Sequence, residues 1–201
     1  MNKMEKTIVL ASGNEGKARE FRAILEPLGF KIVLQKELGI ESPEETGKSF
    51  IENAILKARF ASEKSGMWAL ADDSGLSVDA LNGAPGIYSA RYSGGDDKEN
   101  NAKLLEEMSK VKEDKRTARY FCALCLVRHK DDPVPLTVLS SWEGSIGYKE
   151  VGSGGFGYDP LFVVTGRNCT AAQLPPQIKN LISHRGRALQ ALTYKLEHNL
   201  A

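Results

Sequence analysis

The feature that most constrains this chain is an apolar segment followed directly by a glycine-rich turn and an amphipathic segment. Residues 7–11 form a short continuous apolar run, the pattern of a strand buried on both faces. After the turn at residues 12–17, apolar residues recur at helical spacing until Gly29 ends the segment. Residues 31–35 have the character of a second strand. The order strand, turn, helix, strand predicts an α/β fold.

Three further strands are predicted. Residues 68–71 form a short apolar run that leads directly into an Asp-Asp pair. Residues 117–128 and 135–142 are longer, and the short polar segment between them favours an antiparallel pair. We therefore expect a mixed sheet. Helices are predicted after the capping box Ser49-x-x-Glu52, at residues 100–108, and at the end of the chain, where Leu189, Leu192 and Leu196 share one face.

The composition bounds the class of protein. The 201 residues are 41% hydrophobic and 26% charged, which predicts one compact domain over residues 1–201. The formal net charge of +1 argues against a nucleic-acid partner, because duplex-binding surfaces carry a basic excess. No stretch reaches the roughly 18 apolar residues of a membrane span, and the first apolar run is too short for a signal-peptide core. We expect a cytoplasmic protein without a membrane partner.

The three cysteines, Cys122, Cys125 and Cys169, are expected to be reduced in that compartment. Cys122 and Cys125 form a C-x-x-C, but no second pair of Cys or His residues completes a zinc site. Because the surrounding segment has strand character, we interpret them as two small side chains packed inside a sheet.

The first candidate site is the turn after the first strand. Backbone N–H groups at the start of a helix lie at the positive end of the helix dipole and point outward. Glycines let an anion approach them closely. A lysine one turn into the helix adds a full positive charge. The spacing differs from a Walker A loop, and an ordinary strand–helix turn remains the alternative. The residues of this turn are Ser12, Gly13, Asn14, Glu15, Gly16 and Lys17.

The second candidate site is Asp72-Asp73-Ser74 after the apolar run at residues 68–71. Adjacent carboxylates repel each other, and strand ends are where α/β proteins bind ligands. Mg²⁺ takes oxygen ligands and keeps several waters, so one or two carboxylates and substrate phosphates suffice. Glu44 and Glu45 could supply further charge. A turn stabilised by Asx caps is the alternative.

Two more segments contain residues suited to a nucleobase. Phe156 lies between glycines, where an aromatic ring is better placed for stacking on a base than for core packing. Gly157, Tyr158 and Asp159 follow, and Asp159 could accept a hydrogen bond. His184 and Arg185 precede the last helix, and the arginine fork could donate to a purine carbonyl. A hairpin turn and a helix cap are the respective alternatives.

Together, five segments in this order resemble the ITP/XTP pyrophosphatase family of house-cleaning nucleotide hydrolases: SGNEGKAREF, EETGKSFIENAILKA, LADDSGLSVDALNGAPGIYSARYSG, GSGGFGYDPLF and SHRGRAL. The resemblance covers about residues 8–192. It implies an elongated mixed α/β fold, with two lobes around a deep nucleotide-binding cleft, and usually a homodimer. The implied reaction is Mg²⁺-dependent hydrolysis of deaminated purine nucleoside triphosphates (ITP, dITP and XTP) to the monophosphate and pyrophosphate.

The resemblance also implies roles for individual residues. Residues 12–17 would bind the triphosphate, and Asp73 would be the metal-linked general base, with Ser74 beside it. Glu45 would be the second metal ligand, with Glu44 and Asp72 as near alternatives. Residues 156–159, Lys179, His184 and Arg185 would hold the purine. The chain departs from the family pattern at Gln173 and at the Pro175-Pro176 pair, where a more acidic segment is expected.

Two rival functions remain open. A pyrophosphatase of similar fold could act on modified pyrimidine or other damaged nucleotides, and a non-catalytic nucleotide or RNA sensor could be built on the same scaffold. The retained carboxylates argue against the sensor. No Nudix box, R-E-x-x-E-E after a glycine, is present.

Overall fold

The computed structural model describes residues 6–199. Its strands are β1 Lys6–Ala11, β2 Phe30–Leu34, β3 Trp68–Val78, β4 Thr117–Val127, β5 Leu136–Ile146 and β6 Phe162–Val164. Its α-helices are α1 Glu15–Leu25, α2 Phe50–Ser65, α3 Asp97–Glu107, α4 Pro176–Ile182 and α5 His184–Asn199. Short 3₁₀ helices lie at Glu26–Leu28, Gln35–Leu38, Asp79–Leu81, Gly86–Arg91, Glu113–Lys115 and Ala171–Gln173.

The strands form one sheet in the order β2-β1-β3-β4-β5-β6. β1 runs parallel to both β2 and β3, with Ile8 opposite Ile32 and Leu10 opposite Leu70. β5 and β6 are antiparallel. The predicted mixed α/β sheet is therefore confirmed, and the two longer strands β4 and β5 are neighbours as expected. Among the described residues, no helix combines the length and the apolar character needed to cross a bilayer.

The described chain divides into two compact units. Unit 1 comprises residues 6–73, 122–140 and 185–199. Its apolar core lies in two clusters, one of which packs α1 and α5 with large aliphatic side chains of β1 and β4. The other cluster consists mainly of alanines, with Ala54, Ala58 and Ala61 of α2 against strand residues. Small side chains let a helix lie close to the sheet, and Lys57 of α2 lies on the same helical face as these alanines.

Unit 2 comprises Ser74–Phe121 and Ser141–His184. Its core is rich in aromatic residues, and Phe162 lies 4.7 Å from Tyr120 and 5.1 Å from Trp142 between ring centroids. The buried Arg116 donates to the carbonyls of Ile146 and Met108, each at 2.7 Å. Backbone oxygens therefore accept the hydrogen bonds of its guanidinium group. Both units therefore have a core of their own.

Several boundaries differ from the predicted ones, and three of these differences bear on the architecture. β3 continues through Asp72 and Asp73 to Val78, although the apolar run ends at Ala71. β5 extends to Ile146, and α3 begins at Asp97 with Asp96 as its cap. The first difference matters most, since it puts two aspartates inside a strand, where charged residues are depleted. The cysteines Cys122 and Cys125 are buried thiols in β4, as predicted.

Candidate functional site

The turn between β1 and α1 has the geometry of a capped helix start. Asn14 is the cap of α1, and its side-chain oxygen accepts from Lys17 N at 3.0 Å. Asn14 N in turn donates to Ser12 Oγ at 3.1 Å. Gly13, Asn14 and Glu15 are exposed, whereas Gly16 is buried. An exposed turn at the positive end of a helix suits an anion.

The side chain of Lys17 points back to β3 and forms an ion pair with Asp72. Asp72 is fully buried, and its other oxygen accepts from Arg185 Nε at 2.9 Å and from the thiol of Cys122 at 3.2 Å. Arg185 also pairs with Glu20 of α1. Two cations and two anions thus compensate each other inside unit 1, which is what allows them to be buried.

The charges of this network shift the pKa values of its members. Burial by itself would raise the pKa of Asp72, but the ion pairs with Arg185 and Lys17 outweigh burial and hold that pKa well below its usual range. Conversely, the pKa of Arg185 is raised, since Asp72 and Glu20 outweigh its desolvation. The pKa of the Cys122 thiol is raised far above its usual value, mainly by burial. Asp72 is therefore a permanent anion and Cys122 an inert thiol.

The next residue, Asp73, belongs to a second cluster. Lys57 of α2 donates to Asp73 Oδ1 and to Glu45 Oε1, each at 2.8 Å. Asp73 is 6% exposed, and its Oδ2 is buried with no hydrogen-bond partner in the described structure. Burial raises the pKa of Asp73, although Lys57 opposes the shift. A buried carboxylate oxygen without a partner is costly unless a ligand or an ion uses it.

The two candidate glutamates differ in their surroundings. Glu45 contacts Lys57 and is half-buried, whereas Glu44 is exposed. Ser74 follows Asp73 in β3 and is the first residue of unit 2. Within residues 6–199, no group of three or more His, Cys, Asp or Glu side chains is arranged to hold a metal ion. Of the four candidate metal ligands, Asp73 and Glu45 are the two that the structure brings together at Lys57.

Unit 2 contains the predicted base-binding segment. Asp159 is 2% exposed, and its Oδ2 accepts from Phe156 N at 2.9 Å and from Lys179 Nζ at 2.6 Å. The Lys179 ammonium also lies 4.7 Å from the centre of the Phe156 ring, a cation–π distance. Tyr158 is buried and donates its hydroxyl to the carbonyl of Ser89 at 2.8 Å. Phe156, Asp159 and Lys179 therefore form one contiguous group.

Lys179 keeps this position despite the unusual sequence before it. Pro176 is the first residue of α4, where a proline costs nothing because that N–H has no helical partner. Gln173 closes a capping box with Thr170, whose backbone N–H it accepts at 2.9 Å. Gln173 and the Pro175-Pro176 pair, which depart from the family pattern, thus lie at the starts of helices, where the structure accommodates them.

His184 lies in an aromatic stack within unit 2. Its ring is 4.6 Å from that of Tyr120 with an angle of 5°, and 6.2 Å from that of Trp142. Only 4% of His184 and 2% of Arg185 are exposed. Contacts of these two residues with a purine remain predictions, and the structure adds that both already belong to well-defined packing environments.

Sequence reasoning missed Lys57, Glu20, Asp97 and Asn101. Lys57 could have been found, because it lies on the same helical face as Ala54, Ala58 and Ala61, and a lysine within such a small-residue stripe must have an anionic partner. Glu20 gave no local signal, since its partner Arg185 is 165 positions away. Asp97 and Asn101 gave no local signal either, since they contact Gly157, which is 60 and 56 positions away.

These features define a mixed α/β protein with an exposed turn at the start of α1 and three largely buried carboxylate–cation clusters. The chain belongs to the Ham1 family, whose model matches residues 8–195. It is 54% identical over 187 residues to the dITP/XTP pyrophosphatase of Escherichia coli strain K12, covering 92% of this chain and 95% of the relative. The dITP/XTP pyrophosphatase of Photorhabdus laumondii is 53% identical over 187 residues, which again cover 92% of this chain and 95% of the relative.

Solved structures agree. A HAM1 protein from Coxiella burnetii superposes with a TM-score of 0.87 at 45% identity, covering 96% of this chain and 99% of that one. The Ham1 protein of Staphylococcus aureus gives a TM-score of 0.83 at 39% identity, covering 96% of this chain and 100% of that one. The family resemblance seen in the sequence is thereby confirmed.

Proposed function

We propose that this chain hydrolyses the deaminated purine nucleoside triphosphates ITP, dITP and XTP to the monophosphate and pyrophosphate. Such an activity cleanses the nucleotide pool, so that deaminated bases are not incorporated into DNA and RNA. The observation that carries the proposal is the buried Asp73 carboxylate, with one oxygen held by Lys57 and the other without a hydrogen-bond partner among residues 6–199. The names and the high identity of the relatives support the substrate class.

The triphosphate would bind at the turn formed by residues 12–17. The exposed residues Gly13, Asn14 and Glu15 lie at the start of α1, the positive end of its dipole, and Lys17 adds a charge on the same turn. Lys17 is held by Asp72, whose own charge is also countered by Arg185. The lysine therefore retains attraction for an incoming anion while its position is fixed in advance.

Mg²⁺ is the cofactor that we propose. Asp73 and Glu45 offer hard oxygen donors, and Oδ2 of Asp73, which accepts no hydrogen bond from the described residues, fits a cation. Two carboxylates are enough, because Mg²⁺ usually retains waters and takes further oxygens from substrate phosphates. When bound, Mg²⁺ would supply neutralisation of the charge on the departing pyrophosphate.

Asp73 would act as the general base. Its carboxylate would orient a water and take its proton while the water oxygen bonds to the α-phosphorus. The bond from that phosphorus to the bridging oxygen breaks, and pyrophosphate leaves with the electron pair. Lys17 would stabilise the charge that accumulates on the phosphate oxygens. Lys57 holds Oδ1 at 2.8 Å, and so fixes the direction in which the other oxygen can act.

The purine would be bound by residues of the 156–159 segment together with Lys179, His184 and Arg185. Phe156 offers a ring for stacking, and the buried Asp159 and Lys179 offer an acceptor and donors. Hypoxanthine and xanthine carry a carbonyl at position six, which would accept a hydrogen bond from a cationic donor such as Arg185. Adenine carries an amino group there and would leave that donor unsatisfied. Guanine shares that carbonyl, so its exclusion must depend on its 2-amino group.

The test is pyrophosphate release from ITP with and without Mg²⁺, compared with dITP, XTP, dUTP and the four ordinary dNTPs. We expect fast, Mg²⁺-dependent release from ITP, dITP and XTP alone. Preference for dUTP would favour a pyrimidine pyrophosphatase, and absence of release with intact nucleotide binding would favour a sensor.

We also propose a cytoplasmic homodimer, for which sedimentation equilibrium of the purified protein should give twice the mass of the chain.

A further inference from the structure

Gly157, between Phe156 and Tyr158, is held at both of its backbone polar groups by one helix. Its N–H donates to Asp97 Oδ2 at 2.8 Å, and its carbonyl accepts from Asn101 Nδ2 at 3.1 Å. All three residues belong to unit 2. Both contacts are side chain to backbone, so they fix the path of the loop and not the identity of its side chains.

The two helical residues are matched to this task by their spacing. Asp97 and Asn101 are four positions apart in α3, which puts their side chains on one face of the helix. Asp97 offers only acceptors to an N–H, and Asn101 can donate to a carbonyl only through its amide nitrogen. The pair therefore recognises the peptide groups on either side of Gly157 in one orientation.

The backbone of the loop requires such support. Gly157 has a φ of +61°, and Gly155 a φ of +73°, so two positions beside Phe156 are left-handed. Glycine is free to leave these conformations, since it has no Cβ to restrict it. Other contacts also constrain the loop: Asp159 accepts from Phe156 N, Tyr158 donates to Ser89, and Gly154 N donates to the carbonyl of Ala172. Asp159 is itself a predicted base contact, whereas Asp97 and Asn101 are not.

We propose that Asp97 and Asn101 are positioning residues that act through Gly157 to hold Phe156 and Asp159 in the arrangement that binds the purine. This inference rests on the proposed function, because the ligand of the loop is the base of the substrate. The pair contacts no predicted catalytic group, so its loss weakens binding of the nucleotide and leaves the chemical step intact. Asn101 contributes more than Asp97, since it is 4% exposed while Asp97 is at the surface.

The experiment compares five variants by hydrogen exchange of the 154–160 loop and by steady-state kinetics with ITP. Asp97→Ala and Asn101→Ala remove the contacts, Asp97→Asn keeps an acceptor, and Asn101→Asp keeps the shape but replaces the donor by an acceptor. Lys98→Ala on the same helix is the control, because Lys98 is exposed and has no part in the loop. Thermal unfolding confirms that each variant is folded.

Loss of a contact should speed exchange of the loop amides and raise KM for ITP about fivefold, with kcat within about twofold of wild type. Asp97→Asn should behave as wild type, and Asn101→Asp should resemble Asn101→Ala or exceed it. Loop exchange equal to that of Lys98→Ala would overturn the proposal, as would faster exchange with unchanged KM. If the wild type failed to hydrolyse ITP, the proposed function would fall, and the exchange data alone would still decide whether this pair holds the loop.

Discussion

The ammonium group of Lys57 lies 2.8 Å from Oδ1 of Asp73, while Oδ2 of the same carboxylate has no hydrogen-bond partner within the described chain. The two oxygens of one side chain are therefore unequal, and the lysine determines which of them is available. Burial of Asp73 and the nearby charge of Lys57 act on its pKa in opposite directions. This asymmetry leads to the first two predictions.

Asp73→Asn should fold normally and lose hydrolysis by about a hundredfold or more. The amide keeps the shape but lacks both the basic oxygen and the charge that would attract a metal ion. Pyrophosphate release from ITP measures the effect, and circular dichroism checks the fold. Activity within a few-fold of wild type would refute the role of Asp73 as general base.

Lys57→Met should move the acidic limb of the kcat/KM profile for ITP to higher pH. Asp73 must be ionised to act, and its pKa already lies above the ordinary 3.8, so activity is lost as pH falls through that raised value. Removing the cation removes the strongest influence that lowers this pKa, so the limb should move to higher pH. Lys64→Met, an exposed lysine of the same helix, is the matched control. A limb that stays in place or moves to lower pH would contradict the prediction.

Asp72→Asn should lower the free energy of unfolding at neutral pH and make that free energy less dependent on pH in the acid range. The native pKa of Asp72 is depressed, so its contribution is complete above the unfolded value near 3.8 and is lost as pH falls through the lower native value. Breaking a buried ion pair costs about 3–5 kcal/mol. Urea unfolding at about pH 7 and about pH 3 measures both effects. An exposed counterpart, Asp131→Asn, should leave both values unchanged.

Arg185→Lys should separate base recognition from structure. Arg185→Ala would remove a cation from both Glu20 and the buried Asp72, leaving Asp72 with Lys17 alone, whereas lysine keeps the charge and loses the donor fork. If Arg185 donates to the six-carbonyl, kcat/KM should fall about tenfold for ITP and hardly for ATP, which has no such carbonyl. Arg187→Lys, on the exposed side of α5, is the control.

Phe156→Ala is the comparison for that variant, because stacking is nearly blind to the identity of the base and all purine substrates should lose together. An equal loss for ITP and ATP in Arg185→Lys would instead assign this arginine to phosphate or to the fold. Base recognition would then pass to His184, Asp159 or Lys179.

Local patterns in the sequence predicted the mixed α/β sheet, the turn before α1 and the family. They failed at Asp72 and Asp73, which were expected after the end of a strand and lie inside β3. The physical reason is that the compensating cations come from elsewhere in the chain, namely Lys17, Lys57 and Arg185. Strand propensity is a local property, and such long-range compensation cannot be seen in it.

The ion pairs of Arg185 also have a consequence for synthesis. The guanidinium joins Glu20 and Asp72, which are translated 165 and 113 positions earlier. Until residue 185 leaves the ribosome, a nascent chain with α1 and β3 in place would have to bury two carboxylates against a single lysine, and this arrangement is unfavourable. The turn before α1 is held by its own local hydrogen bonds and can form early, whereas the ion pairs between α1 and β3 are completed only once α5 has been made.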